Sequence, residues 1–312
     1  MDSPKTLILG HMPFIGVSYQ SKEKNKQYSK IFSKKNSITR VVEEALEIGV
    51  QKFAAATQHS SPLSLLHLRA LQSVIDAGHN IELIPCIEIP LRLGNTEVDP
   101  YRRWATYAHI EDQLYPEAKQ RIINDPIMNF REDWKNRLTA SRLYQEEHFR
   151  KLMIDWKIVD EDLQSFMQLP VNNIEFGSET DLLTMAGRFD LLGELIDKAR
   201  NHGFNRISFG IHHAGITIPL LKENLEGFGC ITPLNTLGVM MFPTKLSAEE
   251  AVRNAERPVF AIKPLAGGRV KPRQAFNYLV NFPIEGYMVG VGSISELRES
   301  VKAATEVFHP VN

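Results

Sequence analysis

The chain has 312 residues, a formal net charge of −1, 43% hydrophobic residues and 23% charged residues. This balance excludes a net-charge attraction to nucleic acid or anionic membrane, no apolar run approaches the roughly 20 residues that span a bilayer, and the length suffices for one large core. The two cysteines, Cys86 and Cys230, lie in apolar segments and exclude a disulfide framework; with a start, Met1-Asp2-Ser3-Pro4-Lys5, that lacks a signal-peptide pattern, they point to a reduced cytoplasmic protein.

In chain order, the first predicted strand is 6–10, followed by His11 and then by a stretch, 20–36, that holds six lysines against one glutamate. That stretch reads as a basic flap able to attract an anion, or as a solvated loop. A helix is predicted over 39–48, a strand over 52–56 with His59 beyond it, a helix over 62–77 and a strand over 81–87 that runs into Glu88. The pattern then breaks. Residues 93–170 read as a polar helical insertion, single-domain over 1–312 but holding all three tryptophans, Trp104, Trp134 and Trp156, and expected to bury a small core of its own. It would form either a lid and protein-partner surface at the catalytic end or a helical embellishment on the barrel side.

Strands resume at 173–176, 206–211, 230–233, 259–262 and 287–291, alternating with helices at 182–202, 216–224, 248–255, 272–280 and 295–307. Eight strands alternating with helices imply an α/β chain whose parallel sheet closes, a (β/α)8 TIM barrel with a helical insertion after strand three. An open doubly wound sheet is the competing architecture, but no glycine fingerprint follows the first strand. The last two units end in glycine turns, Lys263-Pro264-Leu265-Ala266-Gly267-Gly268-Arg269 and Val289-Gly290-Val291-Gly292-Ser293. Backbone N–H groups there can converge on a phosphate or other small anion, with Arg298 one turn into the last helix.

Counting alternate residues places Ser208, Gly210 and His212 inward on strand five, and Val259, Ala261 and Lys263 inward on strand seven, with Phe260 and Ile262 toward the helices. Glu88 aligns with Cys86 and Ile84. His11, His59, Glu175, Glu179 and Asn235 lie at or beyond other strand ends. The mouth is thus expected to be rich in histidine and glutamate.

The final third, IKPLAGGRVKPRQAFNYL and YMVGVGSISELRESVKAA, resembles the aldo-keto reductase-like barrels, which carry KPLAGGRL, a P-x-x-A helix and a strand ending in VGxxS. The segments Ile207 to Gly215 and Ile231 to Asn235 are similar to that family's fifth and sixth strands, so the resemblance runs from about Ile174 to the end. It implies NADP held by Gly267, Gly268, Gly292, Ser293, Arg298 and Asn235. It also implies an Asp, Tyr, Lys and His tetrad on the early strands, yet Ala54 stands at the aspartate position and no tyrosine, lysine or histidine follows at the others. His212-His213 stand where the family often has Ser-Asn.

Three chemistries follow. The first is an NADP-dependent oxidoreductase acting on a small carbonyl-containing or phosphorylated metabolite, with a histidine or Lys263 in place of the tyrosine acid. In the second, a divalent metal sits on His11, His59, Glu88 and His212 or His213, although no H-x-H or HExxH spacing supports it. In the third, Lys263 is a Schiff-base or electrostatic residue of an aldolase, lyase or isomerase. A catalytically inactive ligand-binding protein is the non-enzyme alternative.

Overall fold

In a computed structural model, which describes residues 5–58 and 60–309, eight parallel strands close into a barrel. They are β1 (Thr6–Leu9), β2 (Lys52–Ala56), β3 (Glu82–Ile87), β4 (Ile174–Phe176), β5 (Ile207–Gly210), β6 (Gly229–Pro233), β7 (Val259–Ile262) and β8 (Gly286–Val289). β1 pairs with both β2 and β8, so no sheet edge is left open. The (β/α)8 expectation holds strand for strand.

The barrel is filled unevenly. Ile8, Ala54, Ile84, Ile231, Phe260 and Met288 form an apolar cluster inside it, with Ile8 in register with Met288, Ala54 with Ile84, and Ile231 with Phe260. On the opposite side, Cys86, Glu175 and Ser208 stand in register, and Asn173 Nδ2 donates to Ser208 Oγ at 2.9 Å. An interior apolar on one wall and polar on the other directs the polar wall toward the mouth.

Alternation on β5 is as expected, with Ile207, Phe209 and Ile211 in the layer between strands and helices. On β7 it is reversed. Phe260 and Ile262 belong to the interior cluster, while Val259 and Ala261 face the helices. The large Phe260 ring fits inward because Ala54 and Gly286 leave it space; a Cβ on Gly286 would come within 3.2 Å of that ring.

Two local expectations are corrected. The lysine-rich stretch is mostly helix, Lys22–Ile31 capped by Ser21 and then Lys35–Glu47, and Tyr28 and Phe32 bury its inner face. Dense lysines on the outer face hid that short apolar stripe. The helix predicted over 182–202 is instead two, Thr180–Met185 and Phe189–Asn201, parted at Gly187, whose φ of 66° ends the first.

Residues 88–173 connect β3 to β4. They form a small antiparallel sheet of Leu91–Leu93, Thr96–Glu97 and Leu152–Ile154, together with helices of which Pro100–Leu114 is the longest before Trp156–Phe166. Trp104 and Trp134 are buried and Trp156 partly so, but they join the main core rather than a separate one. The reason is docking: the Trp104 ring lies 5.0 Å from that of His213 and 5.8 Å from that of Phe242, both from the barrel. Among the described residues, no helix is long and apolar enough to cross a membrane.

Candidate active site

A cavity of about 520 Å³ opens at the C-terminal ends of the strands. His11 enters it after β1, Cys86 from β3, Glu175 from β4, His212 after β5 and Lys263 after β7, with Tyr19 from the first connection. This is the end of a barrel at which side chains from several strands converge.

Lys263 is its centre. It directly follows the last residue of β7 and has φ +53°, a left-handed conformation that a side chain seldom adopts. That turn takes its ammonium into the cavity although the strand's own alternation, with Ile262 inward, would have pointed the next residue outward. Lys263 Nζ lies 3.3 Å from His212 Nε2 and 5.1 Å from the centre of the Tyr19 ring. Burial lowers its pKa from 10.5 to about 8, partly opposed by Glu175, Asp125 and Cys86.

The neighbours are shifted toward neutrality as well. Burial raises Glu175 to about 7, against the pull of Lys263, and Gly210 leaves room for that carboxylate, since a Cβ there would lie 2.9 Å from Oε1. Burial and the Lys263 charge hold His212 well below the usual imidazole range and bring His11 to about 4. Both histidines are therefore neutral at pH 7, and the Nδ1 of each is buried without a hydrogen-bond partner among the described residues.

Other predicted site residues lie elsewhere. His213 turns away from the cavity, fully buried, and its Nδ1 meets Glu111 Oε1 at 2.7 Å. Burial lowers the pKa of His213, but Glu111 and Asp181 outweigh that and leave it raised. Asp181 accepts the backbone N–H groups of His212 and His213 and the Thr217 hydroxyl, so it fixes the turn that aims the two imidazoles apart. Glu88 lies one residue beyond β3 and is exposed, and Arg92, four residues on, binds Asp155 at 2.9 Å. Asn235 is buried, and its amide bonds the backbone of Val239 in both directions, closing a loop rather than facing a ligand. His59 lies outside the described residues. Among the described residues no three His, Cys, Asp or Glu side chains converge as metal ligands, because His213 and Glu88 point away from His11 and His212.

Solved structures share this arrangement of strands and helices. A protein of Pseudomonas aeruginosa, PA4992, assigned as an aldo-keto reductase, superposes with a TM-score of 0.51 over 98% of this chain and 91% of its own, at 12% identity. The aldo-keto reductase AKR11C1 of Bacillus halodurans, in its holo form, gives 0.49 over 97% and 86%, at 11% identity. The fold is an aldo-keto reductase-like barrel. No family sequence model and no curated protein sequence matches the chain.

In this aldo-keto reductase-like barrel the phosphate end was the clearest motif, and its geometry is mixed. Gly267 and Gly268, at φ 66° and 80°, border the cavity as a turn that a side chain would strain. At the second turn the donors are already used. Gly292 N–H donates to Glu296 Oε2 at 2.7 Å, and Ser293 Oγ caps the helix Ile294–Phe308 by accepting from Glu296 N. The ring of Tyr28 covers Gly292, where a Cβ would lie 2.3 Å from it. Arg298 is held outside the cavity by Glu44 at 2.7 Å. Glu296 and Glu299 both border this end. A nucleotide phosphate at the second turn would meet a carboxylate, so these residues do not fit it.

Sequence reasoning left Glu175 among strand-end residues of uncertain direction and missed Tyr19 and Arg131 as cavity residues. Glu175 had a usable signal, a carboxylate between Ile174 and Phe176 in a three-residue strand, which is costly unless it faces a polar site. Arg131 had none, since only tertiary docking brings 88–173 over the mouth.

Proposed function

We propose that this barrel is an enzyme acting at the carbonyl group of a small metabolite, with Lys263 as the reacting amine. The observation that supports the reading most is the buried Lys263 beside His212 Nε2 and within the field of Glu175, where its pKa falls to about 8. At pH 7 roughly a tenth of such a lysine is the free amine, far more than for an exposed one. His212, neutral, accepts a hydrogen bond at Nε2 and orients the nitrogen, whose proton leaves to solvent. The amine then adds to the carbonyl carbon, and the carbonyl oxygen takes a proton from the Glu175 carboxyl, which stays substantially protonated near neutrality. Loss of water leaves an imine between the carbonyl carbon and Lys263. Tyr19 and His11 line the same cavity beside the reacting amine.

Borohydride trapping tests this reading. Incubation with a panel of short aldehydes and keto acids, followed by reduction and peptide mapping, should place a stable adduct on Lys263. A panel that leaves Lys263 unlabelled sinks the lysine chemistry. The reductase reading is favoured by the fold likeness alone; NADPH oxidation with the same panel, without any adduct, would establish it over the lysine reading.

A further inference from the structure

Next to the main cavity, and sharing Tyr19, Ser178, His212 and Lys263 with it, lies a second chamber of about 350 Å³ roofed by residues of the long third connection. Its walls carry two cations, Arg131 and Lys263, and among the described residues no carboxylate lines it. Of the carboxylates whose charge reaches these cations, Glu175 lies in the main cavity and the other two are committed elsewhere. Asp125 accepts from the backbone N–H groups of Ile127, Met128 and Met240, and Glu179 is paired with Arg103.

Lys263 reaches His212, but other donors in the chamber are unspent. The Arg131 guanidinium makes no hydrogen bond among the described residues; the Trp134 ring lies 5.9 Å from it, and Arg103, Tyr19 and Glu179 are within reach of its charge. It is open to water on the chamber side, yet burial and the neighbouring Arg103 lower its pKa. Trp104 also lines the chamber, and its buried indole N–H has no acceptor among the described residues. Asn25 contributes an amide whose oxygen already accepts from Ser18, which leaves its NH2 group for a ligand. Of the seven non-glycine residues at positive φ among the described residues, three, Tyr19, Met240 and Lys263, line this one chamber.

A pocket of unpaired donors and two cations, with no acid, is built for an oxyanion, and a guanidinium binds carboxylate or phosphate with two parallel N–H groups. We propose that the substrate is an anionic carbonyl compound whose carboxylate or phosphate is held by Arg131 in this chamber, while its carbonyl lies at Lys263. The assignment of the carbonyl rests on the reading above; the anion site does not. It places the acid group under the long connection, in a chamber that none of Gly267, Gly268 and Gly292 lines.

Calorimetric titration of the full-length protein with inorganic phosphate and, separately, malonate tests the site and tells the two acid groups apart. Wild-type protein is expected to bind at least one of them, Arg131→Gln to weaken that binding tenfold or more, and Lys271→Gln, at the glycine-turn end, to bind as wild type does. Melting curves of each variant establish that it is folded. Binding lost in Lys271→Gln but kept in Arg131→Gln overturns the proposal, as does no binding of either anion by wild type. Because no turnover is read, loss in Arg131→Gln together with an unlabelled Lys263 would keep the anion site and remove only the lysine chemistry.

Discussion

At the second glycine turn, the N–H of Gly292 is taken by Glu296, and Glu299 stands nearby; in the adjoining chamber, Arg131 and Lys263 share walls that no carboxylate lines among the described residues. The turn carries the motif and the chamber carries the charge. A glycine turn before a helix makes anion binding available to the backbone, but a side chain four residues on decides whether the donor is free. The chamber as a whole has no motif: Lys263 comes from the KPLAGGR run, but Arg131 is brought to it only by docking.

The largest expected effect falls on Lys263, which the main cavity and the chamber share. Lys263→Met should abolish borohydride labelling for every carbonyl tested, measured by mass spectrometry of the reduced adduct; labelling that persists would move the reaction to another residue. Trp104→Ala should cost about 3–5 kcal/mol of unfolding free energy in urea, because it empties the aromatic contact between the long connection and the barrel. A much smaller loss would mean that the roof of the chamber is held by other contacts.

Glu175→Gln sharpens the pH argument. The labelling reaction needs the free amine and the Glu175 proton, so in wild type it should peak between pH 7 and 8, with the amine contributing a midpoint near 8. Glu175 raises the Lys263 pKa, so its removal should move that midpoint to lower pH; an upward shift would contradict the assigned electrostatics. The same depressed lysine costs stability in full below pH 8, and the cost is relieved as pH rises from 8 toward 10.5, a gain that Lys263→Met should lack. The smallest effect is expected at Arg298→Ala. Its partner Glu44 lies outside the cavity, so phosphate binding and melting temperature should match wild type. Weaker phosphate binding in that variant would return the anion to the glycine turns.

Much of the fold was legible because closure of a barrel is written in local patterns. All eight strands are short apolar runs between turn signals, and Cys86 and Gly210 fell where alternation put them, at the mouth; Lys263 is there too, but through its positive-φ turn rather than the alternation that was counted for it. Alternation failed on β7, since the barrel interior accepts a phenylalanine wherever its neighbours are as small as Ala54 and Gly286. It could not separate His212 from His213 either. Adjacent in sequence, one meets Lys263 and the other Glu111 from the third connection, and Asp181 fixes the turn between them.

The sequence by itself determined the barrel, its strand count, the long third connection and the position of a lysine at the end of the seventh strand, because each depends on hydrophobic period and turn chemistry within a few residues. Only the tertiary structure decided which donors are free. Gly292 lost its N–H to Glu296, while Arg131 kept its guanidinium open above Lys263, and such pairing depends on side chains that meet across the fold rather than along the chain.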